Sequence, residues 1–349
     1  MVEAVGPLSE NARQADGYPL VVIVGPTASG KSALALRLAE VWGGEIVNYD
    51  SVQLYCGFNI GSGKLPREER RGIPHHLLDC VEPDRTFTAG DYRREACQVL
   101  AEVRERRKLP ILAGGTGLYL RALLLGLFEG PARSEGLRAR LRALAERRGR
   151  EFLHRLLARL DPPTAERVAP RDTQKVIRAV EVCLLGRQPF SAQLHRGRSG
   201  LSGFKVFKIG LEPQRAQLYQ RINDRVERMF AGGLLEETRE LLTRMGGART
   251  SGATINPVQV KPLVALGYRQ ACQTLAGKMR LQDAICDTQA ATRRYAKRQT
   301  TWLRRETEVT WFAGFGDDSD LQERVLRSLG AVKPLGTNEL MTASARSIP

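Results

Sequence analysis

An apolar, β-branched run at residues 20–24 leads directly into Gly25-Pro26-Thr27-Ala28-Ser29-Gly30-Lys31-Ser32. No other stretch constrains the fold so strongly. The octet matches the phosphate-binding loop G-x-x-x-x-G-K-[ST]. Its two glycines let the backbone turn tightly enough for successive N–H groups to face an anion, and the helix that follows adds its positive end. Leu34, Leu38 and Val41 mark that helix by falling on one face. All eight loop residues are candidates for binding a diphosphate. Lys31 adds a full charge, and the Ser32 hydroxyl is a candidate ligand for Mg²⁺. The loop implies a bound di- or triphosphate and does not single out ATP.

Strand-like runs recur at residues 45–49, 109–113, 204–211 and 309–312, with helical patterns between them. Alternation of this kind builds parallel βαβ units, so the expected fold class is α/β, a P-loop NTPase-like parallel sheet core. The texture changes near Pro131. Leu137, Leu141 and Leu144 repeat at helical spacing, as do Phe152, Leu156, Leu157 and Leu160, and residues 131–200 carry more than half of the chain's net charge of +16. This segment reads as a basic helical insertion domain. The catalytic core then spans 19–130 and 201–315, with a disordered arm at 1–18 and a disordered tail at 330–349. So basic a surface fits a polyanion, nucleic acid first. The six cysteines form no C-x-x-C pair and the four histidines give no zinc pattern. They read as free thiols of a reducing compartment, and with no signal peptide or membrane span the expected location is the cytoplasm.

Two further sequences follow strand-like runs: Asp50-Ser51-Val52-Gln53 and Gly114-Gly115-Thr116-Gly117. Each has a plain structural reading, as a helix cap at Asp50 or Ser51 and as a tight turn capped by Thr116. Ligands of open α/β sheets, however, bind outside the carboxyl ends of the strands, where all three sequences fall. Thr116 has a hydroxyl for a bridging or leaving oxygen. Gln53 has an amide that can pair with an adenine edge. Asp50 is the nearby carboxylate able to take a proton. No second apolar run ends in an acidic residue of the water-activating kind, which weakens an ATPase reading.

GPTASGKS, then DSVQLY, GIPHHLLD at residues 72–79 and GGTGLY, in that order and spacing, resemble the tRNA dimethylallyltransferases. DTQKVIRAVEV (172–182), LYQRINDRVERM (218–229), ALGYRQ (265–270) and YAKRQTTWLR (295–304) extend the likeness over roughly residues 20–312. The resemblance implies dimethylallyl diphosphate as donor, Mg²⁺ as cofactor, and N6 of adenine 37, beside the anticodon of tRNA, as acceptor. It also implies a monomer whose insertion grips the anticodon stem-loop. Asp50 matches the family's general base, Thr116 the residue at the bridging oxygen, and Arg225 or Arg221 the arginine on the diphosphate. The tRNA-contacting segments fall on Asp50, Ser51, Val52 and Gln53, on Gln174, Lys175, Val176, Ile177 and Arg178, and on Gly267, Tyr268 and Arg269. Lys175 stands where the family has arginine, Cys56 where a basic residue is common and Asn59 where an aspartate is. The family's eukaryotic zinc-finger extension is absent, so the bacterial type is expected.

Helical geometry adds that Gln174, Lys175 and Arg178 share one arc, with Val176, Ile177, Val180 and Leu184 opposite. The pairs Arg293-Arg294, Lys297-Arg298 and Arg304-Arg305 are further candidates for RNA phosphates, or else solvated surface. Three other readings use the same loop: a small-molecule kinase, an adenylate isopentenyltransferase acting on free nucleotide, and an NTP-switched RNA-binding module. The kinase and the adenylate enzyme leave the basic insertion without a task, and the module leaves Thr116 and Asp50 without one.

Overall fold

Leu20, Val21, Val22, Ile23 and Val24 expose no surface at all. An unbroken apolar strand of this kind needs partners on both edges and cover on both faces. In the computed structural model, which describes residues 17–128, 130–194, 199–247 and 261–330, that strand is the heart of β1 (Tyr18–Val24). It pairs in parallel with β4 (Pro110–Ala113) on one side and β5 (Phe204–Glu212) on the other. β2 (Glu45–Asn48) extends the sheet beyond β4, and β3 (His75–His76) lies beyond β2. β6 (Val309–Ala313) closes the far side against β5. The order β3-β2-β4-β1-β5-β6 is parallel throughout.

Parallel strands require crossovers, and helices supply them. α1 (Lys31–Trp42) joins β1 to β2, and α2 (Ala89–Glu105) joins β3 to β4. α3 (Gly117–Leu125) leaves β4. Leu34, Leu38 and Trp42 of α1 enter one buried cluster with Val21, Ile111 and Ile209 of the sheet. Val41, expected on that face, is 42% exposed. Between β5 and β6 run α9 (Arg215–Ala231), α10 (Leu234–Gly247), α11 (Tyr268–Leu275) and α12 (Leu281–Leu303); α4 to α8 belong to the smaller unit described below. The core continues past residue 315. Leu321 and Val325 of α13 (Ser319–Ser328), with Leu329, join the same cluster, so this helix belongs to the sheet layer. The expected arm and tail lie outside the described residues, except for Gly17, Tyr18, which opens β1, and Gly330.

The chain divides into two compact units, and the smaller begins at Leu124 rather than Pro131 and ends at Gly200. It is helical: α4 (Glu135–Arg148), α5 (Arg150–Leu160), α6 (Pro162–Arg167), α7 (Thr173–Gly186) and α8 (Phe190–Gln193). Leu141, Leu153, Leu157, Val176, Ile177 and Val180 form its core. A carboxylate sits within the same unit. Glu181 is fully buried, accepts from Arg138 through two nitrogens, and also takes Arg178 Nη1 at 2.7 Å and the Ser134 amide at 2.9 Å. Burial alone would raise its pKa. The hydrogen bonds from Arg138, Arg178 and Ser134 outweigh that and bring it down to about 2.

Because the folded pKa lies below the unfolded one, Glu181 stabilises the fold above the ordinary glutamate pKa, and that contribution is lost as pH falls through about 2. Acid titration followed by circular dichroism should show this loss, and Glu181→Gln should remove it. Glu181→Ala, which strands two arginines, should cost about 3–5 kcal/mol in denaturant unfolding.

Candidate active site

The parallel register brings the carboxyl ends of β1, β2 and β4 to one edge, and the three loops singled out by sequence leave from there. A cleft of about 460 Å³ opens between them, lined by residues 27–33, Asp50, Gln53, Gly114, Gly115, Arg221, Arg225 and others. Gly30 turns the loop into α1 with φ +84°, in the left-handed region that disfavours side chains. A Cβ there would also strike Gly316 N at 2.6 Å. The segment after β6 is thus laid against the loop, with the Gly316 amide donating to Ser29 O at 2.9 Å. Lys31 Nζ folds back to the Gly25 and Pro26 carbonyls at 3.0 and 2.7 Å. Burial, with Arg225 nearby, lowers its pKa to about 7.

Asp50 fits both readings offered by the sequence. Its Oδ1 accepts the Val52 and Gln53 amides at 2.9 and 3.3 Å, which is the capping role. Its Oδ2 faces Gly115, where a Cβ would lie only 3.0 Å away. The two arginines separate clearly. Arg221 is held by both oxygens of Asp317 and lies 4.2 Å over the Phe315 ring. Arg225 hydrogen-bonds the Ser62 carbonyl, at 3.4 Å, and has no carboxylate in salt-bridge contact among the described residues. Gly63, with φ +61°, makes room for it, since a Cβ there would stand 1.7 Å from Arg225 Nη2.

Several expected contacts are placed differently. The Thr116 hydroxyl accepts the Ser51 amide at 2.9 Å and donates to Ser51 Oγ at 3.0 Å, so it ties two loops together and does not line the cleft. Gln53 Nε2 donates to the Ser62 and Gly63 carbonyls, so its amide is not free to pair bidentately with a base. Val176 and Ile177 are core residues of the smaller unit and offer RNA nothing, whereas Gln174 and Lys175 are exposed. Lys175 pairs with Asp172 at 2.6 Å. Arg178 is half-buried and turned onto Glu181 and the Pro131 carbonyl. Leu184, expected to pack, is 43% exposed. Tyr268 is fully buried: its hydroxyl donates to Glu237 at 2.6 Å and accepts the Gly61 amide at 3.1 Å. Gly267 caps α11, and Arg269 is exposed beside Asp287.

Two residues that the sequence had grouped only within a family signature reach the cleft from α12. Tyr295 Oη donates to Gly115 O at 3.0 Å. Gln299 Nε2 donates to the same carbonyl at 3.0 Å, and its Oε1 accepts the Thr27 amide at 2.7 Å. Their spacing of one helical turn marks a shared face. No rule of sequence says that the face points at the phosphate loop.

An anion-binding strand–loop–helix, with Lys31, Arg225 and the Asp50 carboxylate on one cleft, defines a P-loop protein suited to a di- or triphosphate. The IPP transferase family model matches residues 53–306. The tRNA dimethylallyltransferase of Koribacter versatilis (strain Ellin345) is 50% identical over 300 residues, covering 86% of this chain and 94% of that relative. That of Solibacter usitatus (strain Ellin6076) is 49% identical over 316 residues, 89% and 99% of the two chains. The crystal structure of tRNA isopentenylpyrophosphate transferase from Bacillus halodurans is 35% identical with a TM-score of 0.64, covering 93% of this chain and 99% of that one. A eukaryotic dimethylallyltransferase acting on tRNA is 25% identical with a TM-score of 0.74, covering 92% and 81%. The chain belongs to the IPP transferase family.

Because burial lowers the pKa of Lys31 to about 7, an anion that binds there should draw a proton onto its amine. Calorimetry with inorganic diphosphate in buffers of different ionisation heat should show more proton uptake around that pH by the wild-type protein than by Lys31→Met. The affinity advantage of wild type over Lys31→Met should shrink as pH rises above it.

Proposed function

We propose that this chain transfers a dimethylallyl group from dimethylallyl diphosphate to N6 of adenine 37 in tRNA, as a cytoplasmic enzyme. One observation carries the reading: Asp50, whose Oδ2 has no hydrogen bond among the described residues, lines the same cleft as the phosphate loop. A phosphoryl-transfer enzyme would want a residue that orients or deprotonates a hydroxyl or water at the terminal phosphate. A prenyl transferase instead needs a cradle for a departing diphosphate and a base for the incoming amine.

The loop amides, Lys31 and Arg225 surround the diphosphate with positive charge, and that charge counts most as the C1–O bond of the donor breaks. The N6 amine attacks C1 and becomes acidic as the N–C bond forms. Asp50 Oδ2 then takes its proton. The family resemblance gives the departing oxygen to the Thr116 hydroxyl, which would have to leave Ser51 Oγ to reach it. Among the described residues no three His, Cys, Asp or Glu side chains gather as a metal centre. The exposed Ser32 hydroxyl and the Asp50 carboxylate share the cleft wall. Two hard oxygens beside a diphosphate suit Mg²⁺, which keeps waters and few protein ligands. Ser32 would hold it, and when bound it neutralises the leaving diphosphate. The adenine must first leave its stack. On the smaller unit, Gln174 and Lys175 with the exposed Arg140, Arg142 and Arg171 form the surface offered to RNA phosphates.

Labelled donor with Mg²⁺ should mark an anticodon stem-loop with adenine at position 37, and neither the same RNA with guanine there nor free AMP. Label on AMP would make the protein an adenylate enzyme. Asp50→Ala should lower kcat by about 10²–10⁴-fold while inorganic diphosphate still binds; an equal loss of diphosphate affinity would instead make Asp50 a metal ligand. RNA affinity should drop by about 10³-fold or more between 50 and 200 mM salt, as a phosphate-driven interface requires.

A further inference from the structure

Gln299 is 2% exposed, yet neither of its polar atoms is spent within its own helix. The amide spans two loops that leave different strands. Oε1 accepts the Thr27 N–H of the phosphate loop at 2.7 Å, and Nε2 donates to the Gly115 carbonyl of the loop after β4 at 3.0 Å. Tyr295 donates to that same carbonyl at 3.0 Å, so both of its lone pairs are used. Gly115 in turn lies against the Asp50 carboxylate: a Cβ on it would meet Asp50 Oδ2 at 3.0 Å and Gln299 Nε2 at 3.1 Å.

The chemistry narrows the residue. The position demands an acceptor for one N–H and a donor for one carbonyl, from a side chain long enough to reach both. Glutamate accepts but, when ionised, cannot donate, and lysine donates but cannot accept. Asparagine is one methylene shorter. The bonds are made in a buried setting, where an unmade partner costs about 1–3 kcal/mol, so the bridge holds its length. The Thr27 N–H is also turned away from the anion, which leaves the cradle to the other loop amides.

We infer that Gln299, supported by Tyr295, is a positioning residue that fixes the distance between the diphosphate cradle and the carboxylate of Asp50. The inference rests on the transfer reaction proposed above. It assigns the two α12 residues a role in alignment rather than in binding the donor. A departing diphosphate and an accepting base act on the same carbon–nitrogen pair, so an error near 1 Å in their separation is worth about 10²-fold in rate. Mere packing would not need both amide atoms on two separate loops.

The full-length protein is assayed for prenyl transfer to the adenine-37 stem-loop, and inorganic diphosphate affinity is measured separately. Gln299→Glu keeps the Thr27 contact and sets an anion against Gly115 O. Its kcat should fall by about 10²-fold while diphosphate affinity stays within about threefold of wild type. Tyr295→Phe removes one hydroxyl from a side chain that still fills its place, and should lower kcat by about 3–10-fold with diphosphate affinity unchanged. Retained diphosphate binding also reports that each variant is folded. Wild-type kcat in both variants overturns the inference, and so does a fall in kcat matched by an equal loss of diphosphate affinity. The variants are read as ratios to wild type, so wild-type protein without transfer would strike the proposed reaction instead.

Discussion

Parallel pairing of β1 with β4 and β5 is the constraint on which the site depends. Strands that run the same way present all their carboxyl ends at one edge, and the loops leaving that edge must converge. The phosphate loop, the Asp50 loop and the Gly115 loop are neighbours for this reason and not because they are close in sequence. The register is specified by burial. Strands apolar on both faces cannot slip without carrying polar residues into the core, and Tyr49, whose buried hydroxyl donates to Ile23 O at 2.7 Å, pins the end of β2 to β1.

Convergence by itself gives only rough proximity. Side chains from elements later in the chain refine it. α12 contributes the Gln299 amide between two loops, and the segment after β6 lays Gly316 and Asp317 beside Gly30. Thr116 and Ser51 join the remaining pair of loops. The bonds of Gln299 and Thr116 are partly buried. Such bonds keep their geometry because the alternative is an unsatisfied buried group.

The fold was legible because its signal is local. The phosphate loop, the strand runs and the helical leucines of the smaller unit are patterns within a few residues, and they predict elements at 18–24, 31–42 and 135–148 closely. β3 escaped, being two residues long and held only by its pairing with β2. The site was legible in part. Lys31 and Asp50 could be read from their position after strands. The partners of Gln53 and Thr116 could not, because they depend on which loop lies next to which. Val176, Ile177 and Tyr268 show the converse. A family signature carries core residues along with contact residues, and only burial tells them apart. Arg221 and Arg225 share one helix at adjacent turns. What separates them is Asp317, far along the chain.

That separation follows a wider division of labour among the cations. Arg221 is paired with Asp317 and Arg106 with Glu45, while Arg138 and Arg178 share Glu181. These ion pairs set backbone and helix positions, and each charge is spent in doing so. Among the described residues Lys31 and Arg225 hydrogen-bond only carbonyl oxygens. Burial acts against both and lowers the pKa of each, and the charge of Asp50, which acts on both without a hydrogen bond to either, offsets only part of that. A fold under selection for stability alone would remove or pair such groups. Keeping two of them at the mouth of the phosphate loop is stable only if an anion offsets the cost. The charge surplus of the cleft is therefore matched to a polyvalent anion, and the Asp50 carboxylate, bonded through Oδ1, keeps Oδ2 to receive a proton.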